Sequence, residues 1–364
     1  MGTSIRRIAV NTGGGDAPGL NAVIRAVVLA ALRRGWEVLG IRRGYEGLLD
    51  TSKAVPLTRD SVRGITHLGG TILGTVNRGQ PFEHPVRQPD GTVRLVDRSD
   101  EVVANFRKLS LDGLIAIGGD GSLRIAHWFA QMGIPIVGVP KTIDNDLSST
   151  VVTFGFDTAV SIATDALDRL HTTAEAHERV MVVELMGRYA GWIALNAGVS
   201  ATADVILIPE IPFRIESVCE KIMERERAGR RFSIVVVAEG ATPKGASFVT
   251  RGQKEPDREV RLGGIAERLA EEIPRRTGKE ARALVLGHLQ RGGSPTTFDR
   301  LLALRFGAAA VRAMAQGLSD VMVALHPPAV DVVPIAEAIA HMKAVPLDCD
   351  TITTARDLGI CLGD

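Results

Sequence analysis

Short β-branched runs alternate with helix-like stretches along most of this chain, and that alternation limits the fold more than any other feature. The runs "IRRIAV", "WEVLGI", "GLIAI", "IPIVGV", "RVMVVEL", "DVILIP", "FSIVVVAE", "ARALVLG" and "DVMVAL" are continuously apolar rather than alternating. Such runs suit strands covered on both faces, which means parallel sheet flanked by helices. Between them, Leu20, Val23, Ile24, Val27, Val28 and Ala31 recur at the spacing of one buried helical face, with Gly35 as its stop. A second helix is expected to open on Asp157 as N-cap. The chain has 364 residues, more than the roughly 250–300 that one core usually serves, so two lobes are expected.

Two polar, Pro- and Gly-rich segments, 78–100 and 241–261, break the alternation and read as surface excursions, the first with a hairpin at Asp90-Gly91. Net charge is +1, which gives no global field for nucleic acid or an anionic membrane, so any anion must meet a local site. Cys219, Cys349 and Cys361 show no CxxC pairing, which argues against a disulfide framework or zinc site and suits a reducing cytoplasm. No apolar run approaches the roughly 20 residues of a membrane span.

The chemistry-bearing stretches fall where strands end. "NTGGGDAPGL" and "IGGDGS" each place Gly-Gly-Asp between a strand and a helix, where backbone N–H groups can approach phosphate and the helix dipole favours the anion. Two such turns suggest a polyphosphate, and they fit either an internal duplication or two α/β units that converged. Asp120 then suits a Mg²⁺ ligand, although tight turns alone also select Asp. Neither turn is a Walker GxxxxGK[ST]. In "VPKTIDNDL", Asp144 can serve as general base and Lys141 as a nearby cation, against the plainer alternative of a salt-bridged loop. "GHLQRGGSPTTFDR" supplies His288, Gln290 and Arg291, and with Arg282 and Arg179 these groups could face one phosphate monoester.

Taken together, "GGGDAPGLNAVIRA", "IGGDGS", "PKTIDND", "MGRYAGW" and "GHLQRGGSPTTFDR" resemble the signatures of the 6-phosphofructokinase family, in order and over nearly the whole chain. The resemblance implies two Rossmann-like three-layer α/β lobes with mainly parallel sheets and the active site in the cleft between them. It assigns 1–155 plus about 291–340 to a nucleotide lobe, and 156–290 plus about 341–364 to a sugar-phosphate lobe. It implies phosphorylation of fructose 6-phosphate at its 1-hydroxyl, with ATP and Mg²⁺, by a cytoplasmic homotetramer or homodimer whose active site is shared between subunits. Asp144 matches the base, with Thr142, Asp146 and Lys141 beside it, and Asp120 matches the metal ligand. Gly14, Gly15, Tyr45, Arg78, Gly79, Gly119, Asp120, Gly121 and Ser122 match the nucleotide site. Thr142, Ile143, Asp144, Met186, Gly187, Arg188, Glu239, His288, Leu289, Gln290 and Arg291 match the sugar-phosphate site, with Arg179 and Arg282 reaching in from a neighbouring subunit.

Three departures carry weight. Asn77 and Arg78 replace an Arg-Phe pair of many ATP users, and His171 stands where an effector arginine is usual, although Arg25 and Arg59 are kept. Donor choice in the family is read at Gly121 and Lys141, and here the pair is mixed. Pyrophosphate users carry Asp at the first position and Lys at the second, whereas most ATP users carry Gly at both. A carboxylate at 121 would crowd and repel the α-phosphate of ATP, so glycine there favours ATP, with pyrophosphate as the alternative. Another acceptor such as sedoheptulose 7-phosphate is the second alternative. Outside the family, NAD and lipid kinases share the GGDG turn, and a non-catalytic sensor could share the fold. The former lack "MGR" and "GHLQRGGS"; the latter has no need of a base.

Overall fold

The computed structural model describes residues 5–76, 80–246, 248–249 and 262–364. In chain order the regular elements are β1 (Arg7–Thr12), α1 (Leu20–Leu32), β2 (Glu37–Ile41), β3 (Ala54–Pro56), β4 (His84–Arg87), β5 (Val93–Val96), α2 (Ser99–Lys108), β6 (Gly113–Gly118), α3 (Asp120–Gln131) and β7 (Ile136–Pro140). They continue with α4 (Phe156–His177), β8 (Val180–Leu185), α5 (Trp192–Ser200), β9 (Val205–Leu207), α6 (Ile215–Arg227), β10 (Ser233–Ala238), α7 (Ile265–Thr277) and β11 (Ala281–Val285). Last come α8 (Thr297–Ala315), β12 (Val321–His326), β13 (Ala329–Pro334), α9 (Ile335–Ala338) and α10 (Asp350–Asp357).

All nine apolar runs form strands, in two sheets ordered β13-β12-β7-β6-β1-β2-β3 and β11-β8-β10-β9. The second sheet is wholly parallel, and the first is parallel except for its edge strands β3 and β13. Helices cover both faces of each. In the first sheet, α1 and α8 pack with Ile8, Val10, Ile115 and Val137 on one side, while α2 and α3 pack with Ala9, Leu114 and Ile136 on the other. In the second, α4, α5 and α10 lie over Val183, Ile206 and Val236, opposite α6 and α7 over Val182, Val205 and Val235. Strand residues with neighbouring numbers thus serve opposite cores, which is why the runs are apolar throughout.

The hairpin at Asp90-Gly91 joins β4 to β5, where Asp90 Oδ1 accepts from the Thr92 N–H at 2.9 Å. One expectation is corrected. The N-cap of α4 is Gly155 in the left-handed region at φ 97°, while Asp157 sits in the first turn and accepts a hydrogen bond from Thr296 Oγ1 at 2.5 Å. A Cβ at 155 would stand 2.8 Å from that of Ala17, so a capping side chain has no room there. Asp157 instead ties α4 to the start of α8.

Strand order places the functional loops. From β1 the chain runs outward to β2 and β3, then returns to β6 on the other side of β1. The strand order therefore reverses between β1 and β6, and the crevice beyond the carboxyl ends of two such strands is where open α/β sheets bind ligands. Both Gly-Gly-Asp turns lie there, side by side because β1 and β6 pair in parallel.

Candidate active site

The turn after β1 and the turn after β6 interlock through small side chains. Ser122 Oγ would lie 2.5 Å from a Cβ built on Gly13, and Ser122 Cβ 2.2 Å from one on Gly118, so neither glycine can be replaced without movement. The buried Tyr45 donates its hydroxyl proton to the Ser122 carbonyl at 2.9 Å, and Thr75 Oγ1 donates to the Gly14 carbonyl at 2.5 Å. Burial drives the Tyr45 pKa upward, so it stays a neutral donor. Gly121 differs from its neighbours, because a Cβ there would meet nothing within 4 Å. The protein leaves that direction open.

Beside these turns, β7 leads into Lys141, whose backbone N–H donates to Gly118 O at 2.9 Å and whose ammonium donates to the Gly15 carbonyl. Lys141 and Asp144 are each 3% exposed. Burial is the main reason the Lys141 pKa falls to about 8, with Arg291 pushing the same way and Asp144 and Asp16 opposing. Burial likewise raises the Asp144 carboxyl, opposed by Arg291, Arg188 and Lys141, and raises Asp146 to about 6, with help from Asp144. The Asp144 N–H bonds Thr142 Oγ1 at 3.1 Å, and Asn145 is held in the left-handed region at φ 54°. One carboxylate oxygen each of Asp144 and Asp146 is buried without a hydrogen-bond partner. Each such orphan costs desolvation energy that a bound partner would recover.

The second sheet supplies the opposite wall. After β8, Gly187 adopts φ 146° and a Cβ there would lie 2.5 Å from the Ala190 carbonyl, so the turn demands glycine. It is pinned from both flanks: Met186 N–H donates to Gln290 Oε1 at 2.9 Å and Arg188 N–H to Glu239 Oε1 at 3.0 Å. Glu239 follows β10 and Gln290 follows β11, so three carboxyl ends of one parallel sheet build this turn. Arg291 reaches across, donating to Asp16 O at 3.1 Å and packing against Gly15.

These groups enclose a cleft of about 550 Å³. Its lining includes Gly14, Gly15, Tyr45, Gly119, Asp120, Gly121, Ser122, Lys141, Thr142, Asp144, Asp146, Arg188, His288 and Arg291. Met186, Gly187, Glu239 and Gln290 stand behind the lining and support it. The Ile143 side chain is buried in the core and that of Leu289 is exposed, so neither faces the cleft. Arg78, Gly79 and Asn77 lie outside the described residues.

Strand polarity keeps Arg179 and Arg282 away from the cleft of their own chain. Arg179 precedes β8 and Arg282 pairs with Met181 near the start of β8, whereas the cleft lies beyond its carboxyl end. About five residues at ~3.3 Å each separate the two ends. There both arginines pair with Glu280, Arg179 at 2.8 Å. Of the effector-site matches, Arg25 donates to Val62 O at 3.0 Å and His171 Nε2 lies 2.8 Å from Ala201 O.

One wall of the cleft went unread in the sequence. Ile125 and Trp128 stand four and seven residues after Gly121 on one face of α3, and Gln80, Glu83 and Leu95 face them from the hairpin region. Trp128 meets Phe82 edge to face at 5.0 Å, and both Trp128 and Leu95 keep over a third of their surface exposed. The i, i+4, i+7 spacing of Gly121, Ile125 and Trp128, opposite the buried Leu123, Ala126 and Phe129, is the signal that marks this face.

A pair of glycine turns at the strand-order reversal, a buried Lys–Asp cluster and the arginines Arg188 and Arg291 facing them define a two-lobed α/β enzyme of anionic substrates. The chain belongs to the phosphofructokinase family, whose model "Phosphofructokinase" matches residues 7–314. The ATP-dependent 6-phosphofructokinase of Chloroflexus aurantiacus is 52% identical over 369 residues, covering 100% of this chain and 99% of that protein. The pyrophosphate–fructose 6-phosphate 1-phosphotransferase of Amycolatopsis methanolica is also 52% identical, over 93% of this chain and 96% of its own. Phosphofructokinase from Pichia pastoris in the T-state superposes with a TM-score of 0.79 at 30% identity, over 98% of this chain and 37% of that longer one. A pyrophosphate-dependent phosphofructokinase from Nitrosospira multiformis, at 20% identity and a TM-score of 0.80, shares the fold.

Proposed function

We propose that this chain is an ATP-dependent 6-phosphofructokinase, transferring the γ-phosphoryl group to the 1-hydroxyl of fructose 6-phosphate to give fructose 1,6-bisphosphate in glycolysis. The single observation that favours ATP is the open direction at Gly121, continued along α3 by Ile125 and the exposed Trp128 and faced from β5 by the exposed Leu95. Pyrophosphate has no base or ribose, and an apolar wall would give it nothing. Identity to relatives does not decide the matter, since both donor classes occur at 52%. Lys141 favours pyrophosphate as a second reading, because it sets a cation beside the transferred group.

In this reading Asp144 accepts the proton of the attacking hydroxyl, and Arg291, Arg188 and Lys141 oppose the rise that burial imposes on its carboxyl. Lys141 and Arg291 face the charge that spreads over the transferred group. Glycine N–H groups of the two turns hold the donor phosphates, and Arg188, His288 and Arg291 hold the sugar phosphate. Among the described residues no cluster of three or more His, Cys, Asp or Glu side chains could hold a metal alone. Mg²⁺ bound with a nucleotide takes most ligands from phosphate and water and needs only one or two carboxylates. Asp120 fits that requirement at the first position of α3, where Arg124 pairs with it at 3.2 Å. Bound there, the ion would neutralise charge on the donor phosphates.

Sheet membership supports lobes of 1–155 plus about 291–340 and 156–290 plus about 341–364, because β12 and β13 join the first sheet and α10 packs on the second. Arg179 and Arg282, distant from their own cleft, are available to a neighbouring copy. The exposed edge strand β11, with Leu284, Val285 and Leu289 uncovered, supports a homodimer or homotetramer. Among the described residues no helix is long and apolar enough to cross a membrane; with three free cysteines, we assign the cytoplasm. Purified chain given ATP, Mg²⁺ and a panel of sugar phosphates should turn over fructose 6-phosphate fastest, and a faster heptulose phosphate would replace the acceptor assignment.

A further inference from the structure

The segment just beyond β13 and α9 makes contacts with the catalytic turn that the cleft chemistry does not require. Lys343 lies outside residues 7–314 matched by the family model and is absent from the cleft lining. Its ammonium nevertheless donates to Asn145 Oδ1 at 2.8 Å, Thr150 O at 3.0 Å and Val151 O at 2.9 Å. Its backbone N–H donates to Asp146 O at 2.8 Å. All three ammonium protons and the main chain are thus spent on the loop that carries Asp144 and Asp146.

The other side of the residue is anchored in the second lobe. Lys343 O accepts from Trp192 Nε1 at 2.8 Å, and its ammonium lies 5.5 Å from the centre of the Trp192 ring. Trp192 begins α5, directly after the Met186–Arg188 turn. Two residues on, Val345 N–H donates to Glu210 Oε1 at 2.9 Å, the carboxylate that also receives Gly191 N–H at 3.0 Å. Lys343 therefore bridges the Asp144 turn and the base of the sugar-phosphate turn.

Asn145 is the point of leverage. It separates the two aspartates and is the residue whose φ is positive, a conformation disfavoured for residues with a Cβ. Its Oδ1 is fixed by Lys343 and by Thr153 N–H at 3.2 Å, so the side chain locks the backbone rotation that aims both carboxylates.

We propose that Lys343 is a positioning residue, acting through Asn145 to hold the Asp144–Asp146 turn at the angle phosphoryl transfer needs. The inference rests on the assignment of Asp144 as the base. Misplacement of a reacting group by about 1 Å can cost on the order of a hundredfold in rate. A residue of this kind alters kcat without altering what either substrate touches.

The test compares Lys343→Met, Asn145→Gly, the double variant and Asp144→Asn in steady state with ATP, Mg²⁺ and fructose 6-phosphate, well below each variant's Tm. Lys343→Met should lower kcat about tenfold or more while both KM values stay within about twofold. Asn145→Gly keeps the left-handed backbone but loses the acceptor, and should lower kcat similarly. The double variant should be little worse than either single, since both remove one link. An unchanged kcat in Lys343→Met, a rise in KM alone, or fully additive losses would overturn the inference. If Lys343→Met does not fold, an unchanged kcat in Asn145→Gly overturns it alone. A near-normal kcat in Asp144→Asn overturns the base assignment and the inference with it, whereas loss there with normal Lys343→Met removes only the inference.

Discussion

The two walls of the cleft recognise their ligands by different means. The phosphate end of the donor wall is made of backbone: Gly13, Gly14, Gly15, Gly119 and Gly121, locked by Ser122 and Tyr45, leave N–H groups and open space. The acceptor wall is made of side chains, with Arg188 and Arg291 carried on turns pinned by Gln290 and Glu239. A wall of backbone selects by shape, because a single added carboxylate fills the space. A wall of arginines selects by charge and tolerates changes in the uncharged part of its ligand. In the proposed reading donor identity is set at Gly121 against the pull of Lys141, and acceptor affinity is spread over several residues.

The largest expected effect lies where the walls meet. Asp144→Ser should lower kcat by roughly 10²–10⁴-fold with little change in either KM, as removal of a general base does; steady-state rates decide it, and a near-normal kcat moves the base elsewhere. Next, Gly121→Asp should lower kcat/KM for ATP by about a hundredfold or more and leave the fructose 6-phosphate KM within about twofold. The variant should fold normally, because the added Cβ meets no protein atom and Asp is favoured in a first helical turn. Equal ATP kinetics would break the distinction between the walls.

On the acceptor side, Arg282→Ala should raise the fructose 6-phosphate KM about tenfold and spare ATP, provided a neighbouring copy is present. Dilution below the oligomer's dissociation range, followed by sedimentation and activity together, should mimic that loss. Undiminished activity in a monomer would return Arg282 to a surface role.

The smallest effect concerns pH. Lys141 stands lowered to about 8 mainly by burial, so its charge is complete below that value and is lost as pH rises through it. The kcat/KM profile for the free enzyme should therefore fall above about pH 8, and on the acid side as Asp144, itself raised by burial, becomes protonated. Lys343, lowered likewise to about 8, titrates in the same window, and its ammonium faces Asn145 Oδ1 as well as backbone carbonyls. The alkaline limb should move upward in Lys141→Arg.

What the sequence made legible follows from the range of the forces involved. Each apolar run and each glycine turn is a local statement, so the strands and both phosphate turns were readable from "GGGD" and "GGDG" alone. β3 and β13 were not, because short edge strands with exposed faces, such as Ala329–Pro334, lack the apolar pattern of their buried neighbours. That Arg179 and Arg282 lie away from their own chain's cleft was not legible, because residue type says nothing of which end of a strand faces the cleft. Trp128 and Leu95 line the cleft from separate elements, and Lys343 reaches Asn145 across 198 positions, so neither association leaves a motif.

The central claim, that open space beyond Gly121 makes this an ATP enzyme in spite of Lys141, is tested most directly by one ratio. Initial rates of the unmodified chain with saturating fructose 6-phosphate and Mg²⁺, measured against ATP and against pyrophosphate, give kcat/KM for each donor. A ratio of about 100 or more in favour of ATP is the predicted result. Turnover with pyrophosphate and none with ATP would contradict it, and would make Lys141 rather than Gly121 the residue that chooses the donor.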